Sequence, residues 1–149
     1  TSPYDASAAG DNDPNFYLWG AMGSAALIGP GLAQAQPKRQ VLVITGDGEQ
    51  LMGLGGLATI AIAAPKNLTV AVIDNGHFGE TGMQQSHTGL GIDIAAIAAT
   101  CGFAKTGTHT IRIQVREDGF SIDQIVLSPQ TFKNSSPGRL KNDTTILPK

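Results

Sequence analysis

Two short β-branched runs, each ending in a polar turn, constrain this chain more than any other feature. Val41-Leu42-Val43-Ile44 leads into Gly46-Asp47-Gly48, and Val70-Ala71-Val72-Ile73 leads into Asp74-Asn75-Gly76. Such runs, apolar throughout instead of alternating, are typical of strands buried on both faces of a parallel sheet. Between them Leu51, Leu54, Leu57, Ala58, Ala61 and Ile62 recur at helical spacing. Strand, helix, strand is a right-handed crossover by default, so both runs end on one edge. Open α/β sheets bind ligands there, beyond the carboxyl ends of their strands. The Asp47 carboxylate and the Asn75 amide oxygen suit a hard cation such as Mg²⁺, which completes its shell with phosphates and water. Gly46 and Gly48 permit a tight turn and a close backbone approach to phosphate. The amides of Gly48 and Glu49 open the following helix, where unpaired N–H groups favour an anion.

A chain of 149 residues is expected to form one domain with a real core. A formal net charge of −2 gives no reason to expect nucleic acid or an anionic membrane as partner. No segment reads as a bilayer span, since Gly29-Pro30-Gly31 interrupts the small-residue region from Ala21 to Ala35. No basic start precedes a hydrophobic signal core. One cysteine, Cys101, forms no internal disulfide, so a reducing, cytoplasmic setting is expected, with Cys101 a buried structural thiol. The first residue is Thr1 and not Met, which leaves open that the sequence is a piece of a longer protein.

The remaining organisation follows from local signals. Residues 1–15 read as a polar loop, and Gly20 to Gln36 as a tightly packed helix that Gly29-Pro30-Gly31 kinks or divides. Pro37-Lys38-Arg39 is a surface turn. Gly53, Gly55 and Gly56 are poor helix formers, placed where another backbone comes close. Pro65 closes that helix. Gly82 to Gly91 is a loop, and Asp93 caps a short Ala/Ile helix that Gly102 ends. Beyond Lys105, Ile111, Ile113 and Val115 alternate with Arg112, Gln114 and Arg116. Asp118-Gly119 then marks a hairpin turn, Ile122 and Ile125-Val126-Leu127 the returning strand, and residues 129–149 a loose tail. The expected organisation is therefore an α/β unit over 1–104 and a β-hairpin with a polar tail, of uncertain origin, over 105–149. Gly53-Leu54-Gly55-Gly56-Leu57-Ala58 matches a loose dinucleotide pattern but lies inside the helix, so it carries no weight. No Cys/His group has zinc spacing.

Gly-Asp-Gly, a helix, a strand and Asp-Asn in this order resemble the diphosphate-binding motif of thiamin-diphosphate enzymes. The resemblance runs from about Phe16 to Ala104. Phe16-Tyr17-Leu18-Trp19-Gly20-Ala21-Met22-Gly23 is similar to the segment that lies along the thiazolium in these enzymes. Gly79-Glu80-Thr81-Gly82-Met83-Gln84-Gln85-Ser86-His87-Thr88 is similar to a loop of the decarboxylase subunits acting on sulfopyruvate or phosphonopyruvate.

The resemblance implies a truncated thiamin-diphosphate-binding fold, a parallel sheet flanked by helices, and the cofactors thiamin diphosphate and Mg²⁺. It implies metal ligation by Asp47, Asn75 and the main-chain carbonyl of His77, leaving the His77 imidazole to face solvent or substrate. Gly20 would accept a hydrogen bond from the aminopyrimidine through its carbonyl, and Met22 would wedge between the two cofactor rings. Phe78 packs over the cofactor or over the core, with Gly79 and Glu80 next to it. Gln84 and His87 are candidates for reaching the substrate, His87 as a catalytic group. The family also needs a glutamate from a pyrimidine-binding domain, and none of Glu49, Glu80 and Glu117 has a matching context. The implied partner is therefore a subunit that supplies it in an oligomer, with this chain inactive alone.

The implied reaction is non-oxidative decarboxylation of a small 2-oxo acid. Another thiamin reaction, such as acetolactate synthesis, is the nearest rival. The stretch from His109 to Ser128 is similar to the last hairpin of carbohydrate-binding β-sandwich modules. That keeps two further readings open, a non-catalytic carbohydrate- or protein-binding module and an inactive fragment.

Overall fold

A computed structural model describes residues 2–8 and 10–108. The expected hairpin at Ile111–Leu127 and the tail after it lie outside the described residues. Strand β1 (Val41–Gly46) pairs in parallel with β2 (Leu68–Ile73), in register from Val41 opposite Leu68 to Gly46 opposite Ile73. The last paired residues are thus Gly46 and Ile73, and the next residue on each strand is an aspartate, Asp47 or Asp74. An α/β unit with a parallel sheet and flanking helices is what the two β-branched runs imply.

Helix α2 (Ala25–Ala35) covers one face of this sheet. Its approach is close: a Cβ at Gly29 would lie 2.7 Å from Val43 Cγ2 and 2.9 Å from a Leu68 methyl. The expected division at Gly29-Pro30-Gly31 does not occur, because the helix runs on through a buried Pro30. Proline removes one backbone hydrogen bond, and seating on the sheet outweighs that loss. The opposite face departs from the expectation of strands buried on both sides. Leu42 (59 % exposed), Ile44 (44 %) and Ile73 (60 %) remain open there.

Helix α1 (Ser2–Ala8) replaces the polar loop expected at the start. Tyr4 meets Trp19 edge to face at 4.6 Å between ring centroids, which gives this short helix a packing partner. The helix expected between the strands is two helices, α3 (Asp47–Met52) and α4 (Gly56–Ala63). The glycines explain the break. A Cβ at Gly53 would lie 2.0 Å from the Gly23 carbonyl oxygen, so two backbones touch there as the glycine pattern predicts.

Past β2, a two-residue strand β3 (His77–Phe78) pairs antiparallel with β4 (Gln84–Gln85), and a 3₁₀ turn over Gly79–Thr81 joins them. Helix α5 (Ile94–Cys101) starts as expected, with the Asp93 carboxylate accepting a bond from Ala96 N at 2.9 Å. It ends at Gly102, whose φ is +105°. Cys101 is only half-buried, not fully packed as its place beside the helix end suggested. Among the described residues no helix is long and apolar enough to cross a membrane.

One core residue violates the usual rule for buried polar groups. Gln50 on α3 is 2 % exposed, and neither polar atom of its amide has a hydrogen-bond partner among the described residues. Leaving such a group unsatisfied costs about 1–3 kcal/mol. Gln50→Met keeps the shape and removes the polar atoms, so it is expected to raise the unfolding free energy by about that amount. A denaturant titration of both proteins measures it, and a less stable Met variant would mean that the amide is satisfied in solution.

Candidate functional site

The site sits at the carboxyl tips of β1 and β2. Gly46, extended at φ −98° and ψ 163°, precedes Asp47 as the first residue of α3. Asp47, Gly48 and Glu49 therefore occupy the first turn, where backbone N–H groups lack helical partners. A Cβ at Gly48 would lie 2.6 Å from Phe78 Cδ1 and 2.7 Å from Cε1, so the Phe78 ring packs against the Gly-Asp-Gly turn. Glu49 turns its side chain the other way. Its Oε1 accepts from Ala25 N at 3.1 Å at the start of α2, and its Oε2 accepts from the Thr45 hydroxyl. Any cofactor contact at Glu49 thus belongs to its amide, because its carboxylate ties α3 to α2 and β1.

Asp47 is buried, 3 % exposed. Its Oδ2 is met by two hydroxyls, Ser86 Oγ and Thr88 Oγ1, the latter at 2.9 Å. The Thr88 hydroxyl also lies 2.7 Å from Asp74 Oδ1 and 2.8 Å from Ser86 Oγ. Ser86 and Thr88 bring one hydroxyl hydrogen each, and both can go to Asp47 Oδ2, while the exposed Asp74 Oδ1 also accepts from Gly76 N at 2.9 Å. The Asp47 carboxylate is nevertheless screened from water, with no cationic side chain among its hydrogen-bond partners. Positive charge is what such a set needs. The donors are hard oxygens, the chemistry that Mg²⁺ takes.

Asn75 is one residue further along the same turn. Its Oδ1 accepts from His77 N at 2.9 Å, and its carbonyl lies 2.9 Å from His77 Nδ1. The His77 ring is thus engaged with its own turn, and one lone pair of the Asn75 amide oxygen is taken locally. Among the described residues no three of His, Cys, Asp and Glu converge as an all-protein metal cage. A Mg²⁺ held by one or two carboxylates plus phosphate needs no such cage.

Gly20 and Met22 lie on a separate turn. Gly20 (φ +75°), Ala21 (φ +48°) and Gly23 (φ +94°) are all left-handed, and Ser24 N closes the turn on Ala21 O at 3.1 Å. Met22 is 53 % exposed, so it is no filler of the described core. The Gly23–Gly53 contact joins this turn to the end of α3. The same helix therefore carries Asp47 at its start and props the Met22 turn beyond its end.

The loop candidates divide. Gln84 folds back on its own loop, bonding Thr81 Oγ1 and Thr81 O at 2.8 Å each. Gly79 and Glu80 are exposed in the 3₁₀ turn, and His87 is exposed. On either side of the exposed His87, buried Ser86 and half-buried Thr88 bring their hydroxyls to Asp47. Ser86 and Thr88 are the site residues that reading the sequence missed, and Asp74, though part of the Asp-Asn turn, had no role assigned to its side chain. For Ser86 and Thr88 the signal was two hydroxyls spaced two apart in a segment read as loop.

Residues 9–119 match the family model described as the C-terminal TPP-binding domain of thiamine pyrophosphate enzymes. The chain is 48 % identical over 93 residues to a phosphonopyruvate decarboxylase of Streptomyces hygroscopicus, covering 62 % of this chain and 23 % of that protein. It is 44 % identical over 101 residues to the sulfopyruvate decarboxylase subunit beta of Methanocaldococcus jannaschii, covering 68 % of this chain and 53 % of that protein. A subunit of the same description from Methanococcus maripaludis is 38 % identical, with 88 % of this chain and 80 % of that protein covered. The chain thus spans 23 % of the first of these relatives and 53 % of the second.

Proposed function

Because the chain belongs to the family of C-terminal TPP-binding domains of thiamine pyrophosphate enzymes, we propose that it is the cofactor-holding part of a 2-oxo acid decarboxylase. The reaction type is that of the sulfopyruvate and phosphonopyruvate decarboxylases it resembles. The observation that carries this reading is the buried carboxylate of Asp47 at the tip of β1, beside Asp74-Asn75 at the tip of β2. Asp47, the Asn75 amide oxygen and the His77 carbonyl would hold Mg²⁺. The first-turn amides of Gly48 and Glu49, beside Gly46, would receive the diphosphate.

Thiamin diphosphate, when bound, supplies the electron sink that lets a 2-oxo acid lose carbon dioxide. This chain's residues bind and orient. The Gly20 carbonyl would fix the aminopyrimidine, the exposed Met22 would keep the rings bent, and the Phe78 ring would close the diphosphate turn. Gly79, Glu80 and His87 lie on the loop that would face substrate. The names of the Methanocaldococcus and Methanococcus relatives include "subunit beta", which supports a second subunit here. Its pyrimidine-binding domain would bring the activating glutamate. A reducing, cytoplasmic setting suits the unpaired Cys101.

The test has two parts. Thiamin diphosphate is titrated into the purified chain with and without Mg²⁺. The chain and a candidate partner are then given 2-oxo acids, and carbon dioxide is followed. Mg²⁺-dependent binding and release from a sulfonate- or phosphonate-bearing pyruvate are expected. No release from any 2-oxo acid rejects the decarboxylase.

A further inference from the structure

We infer that Thr88 is a positioning residue for the divalent-cation site, holding the Asp47 carboxylate in its metal-facing orientation by bridging it to Asp74. The inference rests on the cation reading of the preceding section and goes beyond it, to a residue that would touch neither metal nor cofactor.

The bridge is unusual in what it joins. Thr88 Oγ1 lies 2.9 Å from Asp47 Oδ2 and 2.7 Å from Asp74 Oδ1. Those carboxylates follow the last paired residues of neighbouring strands, so a single hydroxyl spans both strand tips. It arrives from a third segment, 41 residues after Asp47. That segment is firmly seated. Ser86 N donates to Gly76 O at 2.8 Å, and a Cβ at Gly89 would lie 2.6 Å from the same oxygen. Thr88 lies between these two docking points.

Both hydroxyl contacts fall on one oxygen, Oδ2. No hydrogen-bond partner is described for Oδ1. A carboxylate held by one oxygen is aimed by the other, and hydrogen bonds of this kind orient metal ligands and set their affinity. Thr88 gives its one hydrogen to Asp47 Oδ2, Asp74 Oδ1 takes another from Gly76 N at 2.9 Å, and Asp47 Oδ1 is left for the metal. The segment that carries the exposed His87 is thereby fastened to the metal site by the residues on either side of it.

The experiment measures the Mg²⁺ concentration that half-saturates binding of thiamin diphosphate to the full chain, at fixed cofactor. Thr88→Val removes the hydroxyl and keeps the shape. It is expected to raise that concentration about 10- to 100-fold, the usual range for partners of metal ligands. Thr88→Ser keeps the hydroxyl and is expected to restore the titration. A merely structural role would lower the metal-free melting temperature without this rescue of the Mg²⁺ requirement. Should Thr88→Val not fold, Thr88→Ala removes the same hydroxyl from this half-buried position with less bulk. It is expected to raise the Mg²⁺ requirement in the same direction. A Thr88→Val or Thr88→Ala titration that overlays the unmodified chain's overturns the inference alone. An unmodified chain that binds no thiamin diphosphate with Mg²⁺ overturns the reading beneath it, and this inference with it.

Discussion

Asp47→Asn is expected to abolish Mg²⁺-dependent binding of thiamin diphosphate while leaving the metal-free chain as stable as before, or more so. The two halves have one cause. Asp47 is 3 % exposed, and the side chains that meet its carboxylate are neutral hydroxyls. Without a cation, that negative charge is a cost to the fold. Asparagine retains an oxygen for Ser86 and Thr88 and removes the charge, so the metal-free protein loses nothing it needs. With a cation, the same charge is the main attraction. Losing a partner of a metal ligand costs about 10- to 100-fold in affinity, and losing the ligand itself should cost more than about 100-fold, or about 2.7 kcal/mol. Titration calorimetry and a thermal melt of both proteins decide the matter. If the Asn variant still binds the cofactor with unchanged Mg²⁺ dependence, the site is elsewhere.

Gly53→Ala is expected to be the most damaging single methyl in the described chain. The added carbon would lie 2.0 Å from the Gly23 carbonyl oxygen and 2.8 Å from the Gly23 carbonyl carbon. Overpacking against side chains costs about 1–3 kcal/mol because rotamers give way. Here the obstacle is backbone, and Gly23 is itself held at φ +94°. The expected loss therefore exceeds about 3 kcal/mol, a large part of an ordinary stability of about 5–15 kcal/mol. Surviving folded protein should bind thiamin diphosphate more weakly, because the turn that presents Met22 leans on Gly53. Gly55→Ala is the control two residues on. Its φ is −61° and nothing lies within 4 Å of the added carbon, so a gain of about 0.4–1 kcal/mol is expected. Denaturant unfolding of the three proteins tests this. Equal effects at residues 53 and 55 would show that the backbone contact is absent in solution.

The glycine cluster shows how far letters alone reach. Gly53, Gly55 and Gly56 marked a close backbone approach, and Gly53 meets one. The letters did not name Gly23 as the partner, since nothing local to either residue points to the other. Pro30 shows the opposite failure. Local rules break a helix there, and contacts with the sheet carry α2 through. Ile44 and Ile73 were read as buried because an apolar strand in a parallel sheet is usually covered on both faces. Coverage depends on a second layer, which no strand specifies for itself.

Properties carried by near neighbours were legible without coordinates. β-branched runs made the two strands, Asp93 and Gly102 bounded α5, and the Gly-Asp-Gly and Asp-Asn turns marked the ligand edge. Each rests on sterics or hydrogen bonds reaching a few residues along the chain. The use of hydroxyls and rings needed the folded molecule. Ser86 and Thr88 meet Asp47 across 39 and 41 residues, and the Phe78 ring covers Gly48. A serine or threonine in a loop bonds water as readily as a carboxylate, so its letter carries no direction. The docking of that loop on the strand tips supplies the direction, by bringing a buried charge within reach.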